Sequence, residues 1–441
     1  MRLRSLLVLG ALLLASYVYV LPRWADWNQN SRLDLVRALS EQHDVVIDDY
    51  VSNTGDYALF QGHAYSDNSP YAARCNEVAY TERMTDNELL DIYSDYLISA
   101  FGLTTATGLA SLLEGQISHD RIQRFLASEK RTSTQLWTIV KPHIRAIQQE
   151  DGVLIVDDSI AEKPYTDEND IICWHYDHTS GGSVKGINFL TALYHARELS
   201  LPVGFTVIAK TEHYIDKKDG KAKRRSPISK NESYRTMLQQ AVTNRIPFRY
   251  VLNDVWYASA ENMVFVKQTL QKDFVMPLKA NRKIALHTTD KQQGRYVSIA
   301  TLDLEPLATR EIYLEGVDFP LLLIKQVFVN EDGSTGMLYL VTSDCTLTYD
   351  AITTRYRKRW NVEPYHKSLK QNASLERSPT HTVTTQTNHF FAALCGYIKL
   401  ELLKGTTKLT HFALKAKLYA RAVQMAFEAL RELQPVRLAA A

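Results

Sequence analysis

Two short apolar runs that stop at acids constrain this chain more than any other feature. Val153-Leu154-Ile155-Val156 is uncharged and rich in β-branched residues, and it ends at Asp157-Asp158-Ser159. Phe248 to Leu252 is a second strand-like run, apolar and aromatic apart from Arg249, and it ends at Asn253-Asp254. Bounded runs of this length predict buried strands. A carboxylate just past a buried strand lies at the rim of a sheet, where a ligand reaches it. A strand-end Asp is also an ordinary cap or turn residue, so neither acid alone identifies a site. A third candidate, Glu363, stands in a basic, helix-like segment, Arg355-Tyr356-Arg357-Lys358-Arg359-Trp360-Asn361-Val362-Glu363.

Composition removes competing classes. The 441 residues are 45% hydrophobic and 23% charged, which excludes collagen, coiled-coil rods, low-complexity disorder and a polytopic membrane protein. The four cysteines (Cys75, Cys173, Cys345, Cys395) lie far apart with no C-x-x-C pair. This argues against a disulfide scaffold and a cysteine zinc site, and fits a reducing compartment. There is no P-loop and no G-x-G-x-x-G after a strand, so no nucleotide cofactor is expected.

Charge divides the chain. Residues 1–83 hold seven Arg, no Lys and ten acids, net −3, while the remainder holds 44 basic and 39 acidic residues, net +5. Arg2 and Arg4 precede an uncharged stretch from Ser5 to Leu21, closed by Pro22 and Arg23. Seventeen residues is the lower limit for crossing a bilayer, and no small-x-small cleavage site precedes Pro22, so the stretch reads as an uncleaved anchor. A buried helix is the alternative. Gly62-His63-Ala64-Tyr65-Ser66-Asp67 loosely resembles the first ectodomain loop of polyprenol-sugar-dependent membrane glycosyltransferases. Residues 1–83 read as a fused or mis-joined leader, with a membrane-anchored enzyme as the alternative. Met84 is the expected start of the globular protein.

Residues 84–150 carry helical patterns. Leu89, Leu90, Ile92, Tyr93, Tyr96, Leu97 and Phe101 form an apolar stripe, and 105–113 and 119–127 are joined by a glycine-containing turn with Ser118 as N-cap. This is the outline of a helix-turn-helix, which plain helical hairpins share. Residues 151–263 alternate strands with a helix at 231–244, interrupted by a basic loop at 217–225. Residues 264–340 are β-rich, with runs at Arg295–Thr301, Glu311–Tyr313, Pro320–Val329 and Met337–Thr342. Beyond residue 350 the pattern is helical. His175-Tyr176-Asp177-His178 has the look of a metal pair, but a strand running into a loop accounts for it better.

Three carboxylates from separate elements suit two hard divalent cations, which hold the attacking and leaving oxygens of a phosphodiester. Tyr356, Arg359, Glu363 and Lys370 fall within roughly a 60° arc if 356–370 is one helix. Such a face suits a helix lying along a nucleic-acid backbone with its glutamate on metal. Seven Lys and Arg against two Glu between Arg355 and Arg377 also describe a solvated basic helix. Pro364 disfavours α-conformation at Glu363, and with it an unbroken helix.

The spacing Tyr356-x₂-Arg359-x₃-Glu363-x₆-Lys370 resembles the signature of DDE transposases of bacterial insertion sequences, in the subgroup named for those four residues. Asp157-Asp158-Ser159 and Asp254 match the other two acids, 97 and 109 residues apart from their successors. The D-x-[ST] pattern and the end of the apolar run at Val156 favour Asp157 as the first acid, while Asp158 directly precedes the hydroxyl as in some relatives. The resemblance covers residues 85 to about 430. It implies an α/β, RNase H-like catalytic core at 151–263 and 341–441, a β-rich insertion at 264–340 and a helical DNA-binding domain at 84–150. It further implies Mg²⁺ (two ions, Mn²⁺ substituting) on Asp157 or Asp158, Asp254 and Glu363, and Tyr356, Arg359 and Lys370 on end phosphates. A flipped base would stack on an aromatic, with Trp360 one candidate. The implied partners are double-stranded transposon ends, target DNA and a second copy of the chain, in the cytoplasm at the nucleoid. An inactive membrane-tethered fragment, an end-binding repressor and a hydrolytic nuclease are the rival readings.

A leader that directs a chain to the membrane conflicts with work on DNA, because the residues after Leu21 would be translocated. A protein starting at Met84 is therefore expected to fold and excise an element without residues 1–83. Excision assays of both forms measure this; excision by the long form alone would make the leader part of the enzyme.

Overall fold

The computed structural model describes residues 57–60, 63–66, 84–177, 181–217, 220–305, 307–329 and 333–433. The chain divides into two compact units, with the boundary between Thr85 and Asp86; Leu113–Ile117 groups with the first unit. In the first unit, Tyr57–Phe60 and His63–Ser66 form an antiparallel hairpin. The expected anchor at Ser5–Leu21 lies outside the described residues. Among the described residues no helix is long and apolar enough to cross a membrane.

The second unit is built on one eleven-stranded sheet. Its strands are β1 (Val153–Glu162), β2 (Ile172–Asp177), β3 (Gly182–Ala196), β4 (Leu199–Val207), β5 (Tyr250–Asn253) and β6 (Asp273–Leu278), then β7 (Lys283–Ala285), β8 (Val297–Ser298), β9 (Thr309–Leu314), β10 (Leu321–Val329) and β11 (Thr335–Thr342). Five of them form the core, in the order β4-β3-β1-β5-β6. β3 is antiparallel to both β1 and β4, while β1, β5 and β6 run parallel. This is the RNase H-like arrangement, and its central strands are continuously apolar because helices cover them. Val153, Leu154, Ile155 and Val156 are all fully buried, as are Val251 and Leu252.

The β-rich stretch extends this sheet. β6, read from sequence as part of 264–340, pairs in parallel with β5 and is the fifth core strand. Its other edge pairs antiparallel with β11, and β10, β9, β7 and β8 continue outward. The run Arg295–Thr301 yields only the two-residue strand Val297–Ser298 before a 3₁₀ turn.

The helices longer than five residues are α1 (Asp86–Ser99), α2 (Ala106–Leu112), α3 (His119–Ala127), α4 (Ser133–Ile147), α5 (Lys230–Thr243), α6 (Tyr349–Arg357), α7 (Val362–Gln371), α8 (Val383–Thr407) and α9 (His411–Leu433). Ser118 caps α3 as its sequence predicts, accepting the Arg121 N–H at 3.2 Å. Residues 86–112 and 118–147 lie in the same compact unit as the sheet, with α1 and α3 against α8 and α4 against β4. α8 is buried throughout residues 386–398, and over 390–398 it is nearly wholly apolar on every side. Phe390 from α8 meets Phe189 of β3 and Phe205 of β4 at ring-centre distances of 4.8 and 5.3 Å.

Phe390→Ala is expected to cost about 3–5 kcal/mol through lost burial and the cavity it leaves. Leu430→Ala, on an exposed stretch of α9, should stay within about 0.5 kcal/mol of wild type. Urea unfolding of the two variants measures the contrast.

Candidate active site

Strand register brings the first two acids together. β1 and β5 pair from Val153 with Tyr250 to Val156 with Asn253. One further step in that register sets Asp157 beside Asp254. Asp254 leaves the strand and caps a 3₁₀ turn, its Oδ1 accepting the Trp256 N–H at 2.9 Å.

Asp157 and Asp158 have opposite surroundings. Asp158 is saturated: Oδ1 accepts the Tyr257 hydroxyl at 2.6 Å, and Oδ2 accepts Lys230 Nζ at 2.6 Å and Asn188 Nδ2 at 3.0 Å. Burial alone would raise its pKa, but the Lys230 charge and these donors outweigh burial and hold it below the ordinary carboxylate value. Among the described residues Asp157 accepts only the Asp158 N–H, at 2.9 Å. Burial, then the charges of Asp254 and Asp158, push its pKa up to about 7, against a smaller pull from that N–H and Arg359. Asp254 is raised as well, by burial first.

The signature segment is not one helix. α6 ends at Arg357, a 3₁₀ turn covers Lys358–Asn361, and α7 begins at Val362. Pro364 stands in the first turn of α7, where the missing N–H costs no intrahelical bond. The single-face arc expected for residues 356–370 is therefore corrected, although three of its four side chains still reach one cleft. Arg359, Glu363 and Lys370 line it together with Asp157, Asp158 and Asp254. Tyr356 is buried behind the cleft, its hydroxyl donating to the Asn253 carbonyl at 3.5 Å and its pKa raised by burial to about 12. Arg359 lies 5.7 Å from the centre of that ring, and its Nη2 reaches Glu363 Oε1 at 3.3 Å. Trp360 does not line the cleft: it sits on the 3₁₀ turn, 60% exposed.

The cleft measures about 830 Å³ and also takes in Lys230, Tyr257, Asn188, His366 and Trp256, none of which was among the expected site residues. Trp256 and Tyr257 come directly after Asp254, and that adjacency was the available signal. Lys230 is 72 residues from Asp158, and only the fold joins them. Lys279 Nζ stands 4.4 Å from the centre of the half-exposed Trp256 ring. Burial holds the His366 imidazole neutral, its pKa lowered to about 3. Asn188 Oδ1, Arg359 Nε and His366 Nε2 are buried with no hydrogen-bond partner, so the cleft has polar capacity that the protein itself leaves unused.

Among the described residues no three carboxylate, imidazole or thiol side chains already stand close enough to hold a metal jointly. Glu363 is turned to Arg359. The donor chemistry nonetheless fits a hard divalent cation: Asp157 and Asp254 are adjacent carboxylates whose mutual repulsion and burial a cation would relieve.

Residues 79–296 match the family model described as DDE superfamily endonuclease, and residues 227–398 match the transposase DDE domain. No curated protein matches the chain. The first match spans Asp157 and Asp254, and the second spans Asp254 and Glu363. Together they support a transposase or endonuclease role of the DDE type.

The two aspartates should respond oppositely to neutralisation. With no divalent cation, Asp157→Asn should raise stability by about 1–3 kcal/mol, because it removes a buried negative charge beside Asp254. That gain grows as pH rises from the ordinary carboxylate range and is complete above about 7, where wild-type Asp157 is ionised. Asp158→Asn should lower stability at neutral pH by breaking the Lys230 pair, and the loss should fade at acid pH. Thermal unfolding across this range decides it; shifts of the same sign would contradict the distinction.

Proposed function

We propose that the chain is a DNA transposase that cuts the 3′ ends of an insertion element and joins the freed hydroxyls to target DNA. Asp157, Asp254 and Glu363 are the acids proposed to hold divalent metal. The observation that carries this reading is the adjacency of Asp157 and Asp254 in an open, polar cleft, with both carboxyls raised and Asp158 committed to Lys230. Two like charges at a rim gain most from a cation placed between them. Mg²⁺, or Mn²⁺ in its place, would supply Lewis-acid stabilisation of the phosphodiester oxygens there.

The chain's own residues divide the remaining work. Asp158 keeps Lys230 and Tyr257 in place and leaves Asp157 open. Arg359 and Lys370 hold phosphates of the bound end, and Glu363, which pairs with Arg359, would turn from it to hold the metal. Tyr356 supports Arg359 from behind the cleft. Trp256, rather than Trp360, is the aromatic placed to stack a base at the cleft rim, with Lys279 over its ring. The helices of 84–150 are proposed to contact the element ends, and the working complex is proposed as a homodimer on two ends.

Asp254→Ala and Glu363→Ala should each abolish strand transfer on an end-containing duplex while end binding largely survives. Arg359→Ala and Lys370→Ala should each flatten the salt dependence of end binding by about one unit of slope. Trp256→Ala should weaken binding of the cleaved end by about tenfold, and Trp360→Ala should leave it unchanged. Strand-transfer gels and salt titrations measure these outcomes. Cleavage with no joined product from the wild-type chain would make it a hydrolytic nuclease, and end binding with no cleavage would make it a repressor.

A further inference from the structure

α7 presents two faces. At about 100° per residue, Glu363, His366 and Lys370 lie within roughly 60° of one another and face the cleft. Ser368 lies on the far side, buried at 2% exposure. Its hydroxyl is 2.7 Å from His411 Nδ1, at the first residue of α9. On the other side of that ring, His411 Nε2 is 2.9 Å from Glu401 Oε2 on α8. Glu401 Oε1 in turn accepts the Ser200 N–H of β4 at 2.7 Å and Lys404 Nζ at 2.9 Å. Asn372 Nδ2 completes the line by donating to Ser368 Oγ at 3.1 Å.

Asn372 donates to Ser368, Ser368 and His411 Nδ1 share a hydrogen bond, and His411 Nε2 stands within ion-pair distance of Glu401 without hydrogen-bond alignment, while Glu401 also collects Ser200 and Lys404. Glu401 and His411 are both buried, so each group in the line depends on the next for its polar partner. Ser200 also binds His195 Nδ1 through its hydroxyl at 2.9 Å, which ties the far end into β3. An α-helix seated by apolar side chains alone can rotate about its axis among similar packings. A directional bond on the face opposite Glu363 removes that freedom.

We propose that His411 and Ser368 are positioning residues: the Glu401–His411–Ser368 line fixes the rotation of α7 and so aims Glu363 at the metal position beside Asp157 and Asp254. This deepens the proposed function, since it rests on Glu363 as a metal ligand. It also makes α9, whose first residue is His411, the element through which events at the carboxyl-terminal helix reach the cleft.

The test uses the full chain and two readouts that need no DNA cleavage. Mn²⁺ affinity is measured by electron paramagnetic resonance without DNA, and amide exchange is tracked over 362–371. His411→Gln keeps a donor toward Glu401 and loses Ser368; Ser368→Ala removes the same bond from the other side. Each should weaken Mn²⁺ binding about tenfold and speed exchange in α7 alone. The double variant should be no worse than either single one, and Ser368→Thr should restore both readouts. End-DNA binding should fall by no more than Lys370→Ala causes, because α7 carries Lys370 while Arg359 lies on the preceding turn. Wild-type Mn²⁺ affinity and exchange in both single variants would overturn the proposal. So would faster exchange spread through α8 and β4, which marks general loosening. A wild-type chain that binds Mn²⁺ yet joins no DNA would refute the transposase reading and leave the tether standing. A wild-type chain that binds no Mn²⁺ would refute the metal reading, and α7 exchange would still decide the tether.

Discussion

The Lys230–Asp158 ion pair sets the chemistry of the cleft. Two aspartates stand side by side in a strand whose preceding four residues are fully buried, and both cannot remain charged there unaided. Lys230, the first residue of α5, takes Asp158, with Tyr257 and Asn188 completing its shell. Burial first, then the charges of Asp254 and Asp158, raise the pKa of the Asp157 carboxyl to about 7. One acid is spent on the scaffold so that its neighbour stays open. The ion pair is part-buried and supported by two further donors, so it is worth more than an exposed pair of the same length.

Much of this was legible in the sequence, for identifiable reasons. Val153–Val156 and the run ending at Leu252 announce buried strands, and an acid after each marks a rim. The Tyr356, Arg359, Glu363, Lys370 spacing points to the cleft even though its helical geometry does not hold. Pro364 carried the reason: a proline starts a helix more easily than it continues one, and α7 indeed begins two residues earlier. Pairing between distant segments could not be read. Nothing in the sequence links Lys230 to Asp158 or His411 to Ser368. Nor does periodicity separate β6, a core strand, from the β-rich stretch after it, because both are short apolar runs. Asp157 and Asp158 are alike as letters and differ only through partners supplied by α5, β3 and the turn after β5.

The fold makes the cleft an assembly of three supports. β1 and β5 fix Asp157 and Asp254 by ladder register, which a buried sheet holds tightly. The turn after β5 places Trp256 and Tyr257 by the Asp254 cap. α7 brings Glu363 and Lys370 across from the carboxyl-terminal half, where α8 and α9 seat it. Glu363 is the most exposed of the three acids and is paired with Arg359, so it is the ligand with most freedom to move when DNA and metal arrive.

Which carboxylates take metal is read most directly by anomalous diffraction from crystals of the chain soaked in Mn²⁺. A manganese peak bounded by Asp157 and Asp254, with Lys230 still on Asp158, is the predicted result. A peak on Asp158 with Lys230 displaced would contradict it, and so would a cleft that takes no manganese at a concentration that supports cleavage.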